Sequence, residues 1–207
     1  MKIIIGIPSQ DDVKAGFAFD LATMIAVSYQ SIPDLQMGIV NEQGCCVFAQ
    51  RNRLAAQALV TKADFLLMID SDMRFPADTL TRLLNADKPI IACPAIRRKP
   101  PYTVNYEGME DKTAYVSKVK RIGTGIMLIH ASVFPRIELP FFAQPWIDEV
   151  GFLGSDYYFC DKCNEADIPV HCHNGLKIGH TGIKDYYGPE EDLVEAPKES
   201  GLILPRK

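Results

Sequence analysis

A chain of 207 residues, 47% hydrophobic and 23% charged, has the composition of a soluble globular protein and a length suited to one compact domain. That mix excludes an intrinsically disordered chain, a collagen-like repeat and a coiled coil. Lys plus Arg number 22 against 26 Asp plus Glu, a net charge of −4, which gives no electrostatic case for nucleic acid or an anionic membrane surface as the main partner.

Met1 to Pro8 is apolar but too short for a signal peptide and lacks a small-residue cleavage site. No run approaches the roughly 18 apolar residues of a membrane-spanning helix. The expectation is a cytoplasmic protein whose six cysteines are thiols. Residues 2–7 form a β-branched run closed by Pro8-Ser9, the pattern of a buried strand. Leu21, Met24, Ile25 and Ser28 recur at helical spacing and predict a helix from about Phe17 to Tyr29. Leu35 to Val40 is a second strand, and Val47 to Thr61 a second helix with Leu54, Ala55, Ala58 and Leu59 in its apolar stripe. The apolar run from Asp64 to Ile69 ends abruptly in Asp70-Ser71-Asp72. Pro76 then opens a helix carrying Leu80, Leu83 and Leu84, and Pro89 to Cys93 is another buried strand. Alternating strands and helices of this kind predict an α/β fold with a mainly parallel sheet, and ligands collect beyond the carboxyl ends of such strands.

Beyond residue 95 the pattern is less regular. A basic cluster, Arg97-Arg98-Lys99, precedes Pro100-Pro101. Tyr115 to Val119 and Ile126 to Ile129 read as strands with Gly123-Thr124-Gly125 between them. A loop holding Pro140, Pro145 and Trp146 leads to Gly154-Ser155-Asp156 and a helix to about Ala166. Short strands are expected near Val170 and over Leu176 to Ile178, ending at Gly179-His180. Residues 185–207 show little periodicity and form either a strap over the domain or a mobile tail.

Asp70 and Asp72 are the most informative residues. Two nearby carboxylates raise each other's proton affinity unless a cation intervenes. Mg²⁺ and Mn²⁺ favour carboxylate oxygens together with phosphate oxygens, so a divalent ion bridging Asp72, and Asp70 with it, to a diphosphate is one reading. The other is a turn, in which Ser71 or Asp72 caps the next element. His180, also at a strand end, is either a further metal ligand or an ordinary histidine. Asp156 is either a base for an acceptor hydroxyl or an acid favoured by a helix N-terminus. Arg51 breaks the apolar stripe of its helix and calls for an anion, a nearby Asp or a ligand phosphate. Cys160, Cys163, His171 and His173 admit zinc, although the cysteines stand at core spacing. Trp146, the sole tryptophan, can stack on a sugar face or fill a core. Phosphate-loop, dinucleotide and nucleophile-elbow motifs are missing from the sequence.

In order along the chain stand Ile7-Pro8-Ser9, Arg51-Asn52, the strand ending Asp70-Ser71-Asp72-Met73, Gly123-Thr124-Gly125-Ile126-Met127, Ser155-Asp156 heading its helix, and Ile178-Gly179-His180. This set, spanning about Lys2 to Gly182, resembles a small glycosyltransferase of the GT-A type with a DxD metal motif. The resemblance implies an α/β/α sandwich over residues 1–184, with a nucleotide-binding half to about residue 95 and an acceptor half beyond it. It also implies a UDP- or GDP-sugar donor, Mn²⁺ or Mg²⁺ as cofactor, and an acceptor hydroxyl of unspecified origin. Ile7, Pro8 and Ser9 would line the nucleotide pocket with Arg51 and Asn52 nearby. Asp70 would meet the ribose or a metal-bound water, Ser71 the donor, and Asp72 the metal, with His180 at a further ligand position. Gly123, Thr124 and Gly125 would border the donor sugar or acceptor, and Asp156 would deprotonate the acceptor. Ser155 departs from the Glu that many relatives carry before that aspartate. A nucleotidyltransferase, and a non-catalytic nucleotide- or sugar-binding domain, are the alternatives.

Overall fold

The computed structural model describes residues 1–97, 101–147, 149, 151–182 and the backbone of 185–187. Arg98 and Lys99 of the basic cluster, and the tail beyond residue 187, lie outside the described residues. The elements in chain order are β1 (Lys2–Ser9), α1 (Ala15–Ser31), β2 (Gln36–Gln43), α2 (Val47–Val60), β3 (Phe65–Ile69), β4 (Met73–Arg74) and α3 (Thr79–Asn85). Next come β5 (Ile90–Ala92), β6 (Tyr106–Glu107), β7 (Val116–Val119), β8 (Arg121–Ile122), β9 (Ile126–His130) and a 3-10 turn (Ala131–Arg136). The last are β10 (Trp146–Ile147), β11 (Gly151–Phe152), α4 (Ser155–Glu165), β12 (Val170–His173), β13 (Gly179–Thr181) and β14 (Asp185–Tyr187).

Seven strands form the central sheet in the order β2-β1-β3-β9-β5-β12-β7. Five of them point the same way, while β9 and β7 run against their neighbours. This is the expected α/β sheet with two reversed strands, and β9 is inserted between β3 and β5. Strand side chains alternate between two cores, as the period of two requires. Ile4, Leu66, Met68, Met127 and Ile129 pack with Leu54 and Ala58 of α2 and with Phe159 of α4. Ile3, Ile5, Leu67, Ile69, Ile126 and Leu128 pack with Phe17 and Met24 of α1 and Leu80 and Leu83 of α3. A sheet buried on both faces explains why these strands read as continuous apolar runs rather than alternating ones. Each large side chain so buried contributes about 1.5–3 kcal/mol of transfer free energy.

Two local expectations shift. The third helix starts at Thr79 rather than at Pro76, because Phe75 N–H is held by Asp20 and a turn intervenes, with Thr79 Oγ donating to the Pro76 carbonyl. The strand expected over Leu176 to Ile178 forms instead at Gly179–Thr181, where β4 offers a partner. Leu176 and Ile178 are still buried, as core without strand pairing. Among the described residues no helix is long and apolar enough to cross a membrane.

Candidate active site

Asp70, Ser71 and Asp72 follow the carboxyl end of β3, and the chain turns at once into β4. That two-residue strand decides the site. It pairs antiparallel with β13, placing His180 opposite Met73, and Thr181 N–H donates to the Asp72 carbonyl at 2.8 Å. His180 is thereby brought to Asp72, Nε2 to Oδ2 at 3.4 Å. Its other nitrogen, Nδ1, faces the Ile96 carbonyl at 3.0 Å. A carbonyl only accepts, so Nδ1 carries the proton, and in the neutral ring Nε2 turns a lone pair toward the carboxylate. Two electron-rich atoms meeting in this way call for a proton or a cation between them.

Asp70 has a different partner. Arg51, 6% exposed on α2, places one terminal nitrogen 3.1 and 3.2 Å from the two Asp70 oxygens and the other 2.9 Å from Ser155 Oγ. Of the two anions proposed for Arg51, the structure supplies the aspartate. Burial raises the Asp70 pKa, Arg51 opposes that rise, and the charges of Asp72 and Asp156 add to it. Three carboxylates therefore share one neighbourhood with a single buried guanidinium.

Below Asp72 opens a cavity of about 360 Å³, lined by Pro8 and Ser9 of β1, Asp12, Lys14, Cys45, Gln50 and residues 70–72. Gln50 shapes its wall by donating from Nε2 to the carbonyls of Ser9 and Glu42, both at 2.6 Å. Ser9 Oγ donates to Asn41 Oδ1 at 2.7 Å. The cavity is thus bordered by Asp12, Asp70 and Asp72 against one lysine. Pro8, Ser9, Asp70, Ser71 and Asp72 all line this one cavity. Ile7 is buried in the core, Arg51 reaches the lining through Asp70, and Asn52 is not among the lining residues. Asn52 is committed elsewhere: its amide donates to the Phe48 and Phe142 carbonyls at 2.8 and 2.6 Å, and its oxygen accepts from the Phe141 and Phe142 amides.

On the far side of Asp70 runs Gly123-Thr124-Gly125, fixed by the Asp70 N–H donating to the Gly125 carbonyl at 2.9 Å. Asp156 stands in the first turn of α4, its Oδ1 accepting from its neighbour's amide, Tyr157 N–H, at 3.0 Å. Two glycines bare this carboxylate. A Cβ on Gly154 would lie 2.5 Å from Oδ1, and one on Gly123 would lie 3.4 Å from Oδ2. Thr124 is buried, and its hydroxyl meets no partner among the described residues. Sequence reasoning missed β4, without which His180 has no reason to stand near Asp72. It also missed Asn105, which packs over Gly123; the only signal was the glycine itself.

Among the described residues no group of three or more His, Cys, Asp or Glu side chains is placed to hold a metal ion. The zinc reading of Cys160, Cys163, His171 and His173 therefore finds no cluster. Cys160 and Cys163 are core thiols, Cys160 pushed up to about 12 by burial, and His171 Nδ1 turns to the Ile90 carbonyl. Trp146 is 66% exposed and meets Phe152 edge-on across the β10–β11 hairpin at 4.9 Å, so it fills no core.

No family model and no curated protein matches the chain. Among solved structures, A197 from STIV superposes with a TM-score of 0.60 at 18% identity, over 88% of this chain and 86% of that one, a likeness of fold. A Desulfovibrio desulfuricans G20 protein assigned as a nucleotide-diphospho-sugar transferase gives 0.43 at 10% identity, over 82% of this chain and 78% of that one. Residues 1–349 of S. aureus TarS give 0.45 at 12% identity, over 83% and 57%. The last two superpositions are too loose to bear on this chain.

Proposed function

We propose that the chain transfers a glycosyl group from a UDP- or GDP-sugar to an acceptor hydroxyl with the help of Mn²⁺ or Mg²⁺. The observation that carries this reading is the Asp72–His180 pair, 3.4 Å apart with Asp72 lining an acidic cavity, and with Asp156 near enough for its charge to raise the Asp70 pKa. A diphosphate cannot enter between Asp12, Asp70 and Asp72 without positive charge to offset them. A carboxylate and a neutral imidazole nitrogen are donors of the kind that suit Mn²⁺ or Mg²⁺ beside a bound diphosphate. Asp72 and His180 would hold the ion, which when bound neutralises charge on the departing diphosphate.

The protein's own groups then have definite tasks. Arg51 clamps Asp70 and Ser155, fixing the end of β3 to the start of α4. Pro8, Ser9 and Gly44 wall the space for the nucleoside. Asp156 Oδ2 accepts the proton of the acceptor hydroxyl as its oxygen bonds to the anomeric carbon. The anomeric carbon–phosphate oxygen bond breaks in the same event, and its electron pair leaves with the nucleoside diphosphate.

Thermal denaturation with UDP or GDP tests the reading. Either nucleotide should raise Tm by several degrees at saturating concentration in the presence of Mn²⁺ and not in EDTA. Asp72→Ala should abolish the metal dependence. Equal nucleotide affinity with and without metal would overturn it.

A further inference from the structure

Resting on the glycosyl-transfer reading, we propose that Asn105 and Asp156 together form a subsite for a vicinal diol of the acceptor, Asp156 taking the hydroxyl to be glycosylated and Asn105 its neighbour. Asn105 is held at three points. Its N–H donates to the Ala95 carbonyl at 3.0 Å, its carbonyl accepts from Gly123 N–H at 3.0 Å, and its Oδ1 accepts from Ala95 N–H at 3.1 Å. The last bond settles the orientation of the amide, because an N–H needs the oxygen. Nδ2 therefore points the other way, over the bare face of Gly123.

There it meets Asp156. A Cβ at position 123 would lie 1.8 Å from Asn105 Nδ2 and 3.4 Å from Asp156 Oδ2, so the amide donor and the carboxylate acceptor stand side by side over the same bare glycine. Among the described residues no hydrogen bond joins the two side chains, and Asp156 spends only Oδ1, on Tyr157 N–H. Asn105 Nδ2 and Asp156 Oδ2 thus keep their capacity for a ligand. Adjacent hydroxyls of one sugar ring match this arrangement. One gives its proton to the carboxylate, and the oxygen of the next accepts the amide N–H. A single hydroxyl can donate to the carboxylate and accept the amide N–H at once, but the second bond draws on a lone pair of the attacking oxygen and weakens it as a nucleophile. A neighbouring hydroxyl takes the N–H and leaves that oxygen free to attack. Gly123 is a glycine because any side chain would displace the amide.

Three variants separate the roles. Asn105→Asp retains an acceptor for Ala95 N–H but removes the donor; Asn105→Ala removes both; Gly123→Ala leaves Asn105 in the chain and pushes its amide aside. Saturation-transfer NMR titrations, with and without Mn²⁺ and UDP, would use methyl glucosides, galactosides and mannosides of both anomers and their monodeoxy analogues. At least one glycoside should bind the unsubstituted protein, with Kd raised about tenfold in Asn105→Asp and in Gly123→Ala. Its deoxy analogue lacking the neighbouring hydroxyl should bind weakly and be insensitive to Asn105→Asp. The Mn²⁺-dependent shift with UDP or GDP should persist in all variants. If no glycoside shows binding that depends on Asn105, including the case where none binds, the diol subsite is overturned. Loss of the nucleotide shift in the unsubstituted protein, with glycoside dependence intact, would overturn the donor reading and leave this subsite standing.

Discussion

Arg51 and His173 are both buried, and they answer to opposite demands. Arg51 compensates Asp70, whose side chain keeps 30% exposure. Arg51→Met would strand that carboxylate beside Asp72 and Asp156. Fully buried pairs lose about 3–5 kcal/mol when one partner is removed, and solvent at Asp70 lowers the expected cost to about 2–3 kcal/mol in urea denaturation. His173 has no anion to meet. It lies against Tyr115 at 4.5 Å between ring centroids, and neither ring nitrogen finds a partner among the described residues. Burial first, and the charge of Arg82 second, depress its pKa to about 4. A base depressed in the folded state is neutral there and protonates more readily when unfolded. Its stabilisation is therefore complete above about pH 6.5 and is lost as pH falls toward 4. His173→Leu should leave the urea midpoint at pH 7.5 nearly unchanged and flatten its decline between about pH 6.5 and 4, a difference of up to about 3 kcal/mol. Asp70 and Asp72 draw notice in the sequence because paired carboxylates directly follow an apolar strand, whereas Asp156, an acid where a helix N-terminus favours one, stands out only through the resemblance. Asn105 was not legible, since a loop asparagine has no period and acquires meaning only from Ala95 and Gly123 brought to it.

At the scale of elements, legibility follows length. The helices α1, α2 and α4 fell within about two residues of their observed ends because three or more turns show a stripe. The two-residue strands β4, β6, β8, β10 and β11 left no trace, for a single bridge has no repeat to detect. Yet β4 and its pairing with β13 carry His180 to Asp72. Asn52 works in the same hidden way. With three hydrogen bonds it fastens residues 141–142 to α2, seating Phe142 on Phe159 at 4.6 Å with rings nearly parallel. Asn52→Ala should cost about 2–3 kcal/mol by leaving the Phe141 and Phe142 amides without their acceptor. Hydrogen exchange should rise at those two amides well before it rises in β1 or β3.

For the whole molecule, the order β3-β9-β5 has a direct consequence. Every hydrogen-bonded neighbour of β5, and one of the two neighbours of β3, comes from beyond residue 95. A fragment of residues 1–95 should therefore lack cooperative unfolding by circular dichroism, while the full chain melts in one transition. The alternation of strand and helix was readable over the first half. The insertion of β9 was not, because nothing in Ile126 to His130 distinguishes a reversed strand from a parallel one when both faces are buried. One further trait of the molecule rests in the β10–β11 hairpin. The chain owns a single indole, Trp146, which is turned to water and stands ten residues before Asp156. Its light emission therefore already resembles that of the denatured chain and makes a poor gauge of melting, but any guest settling over the hairpin would alter the colour of the entire protein's glow from one known spot.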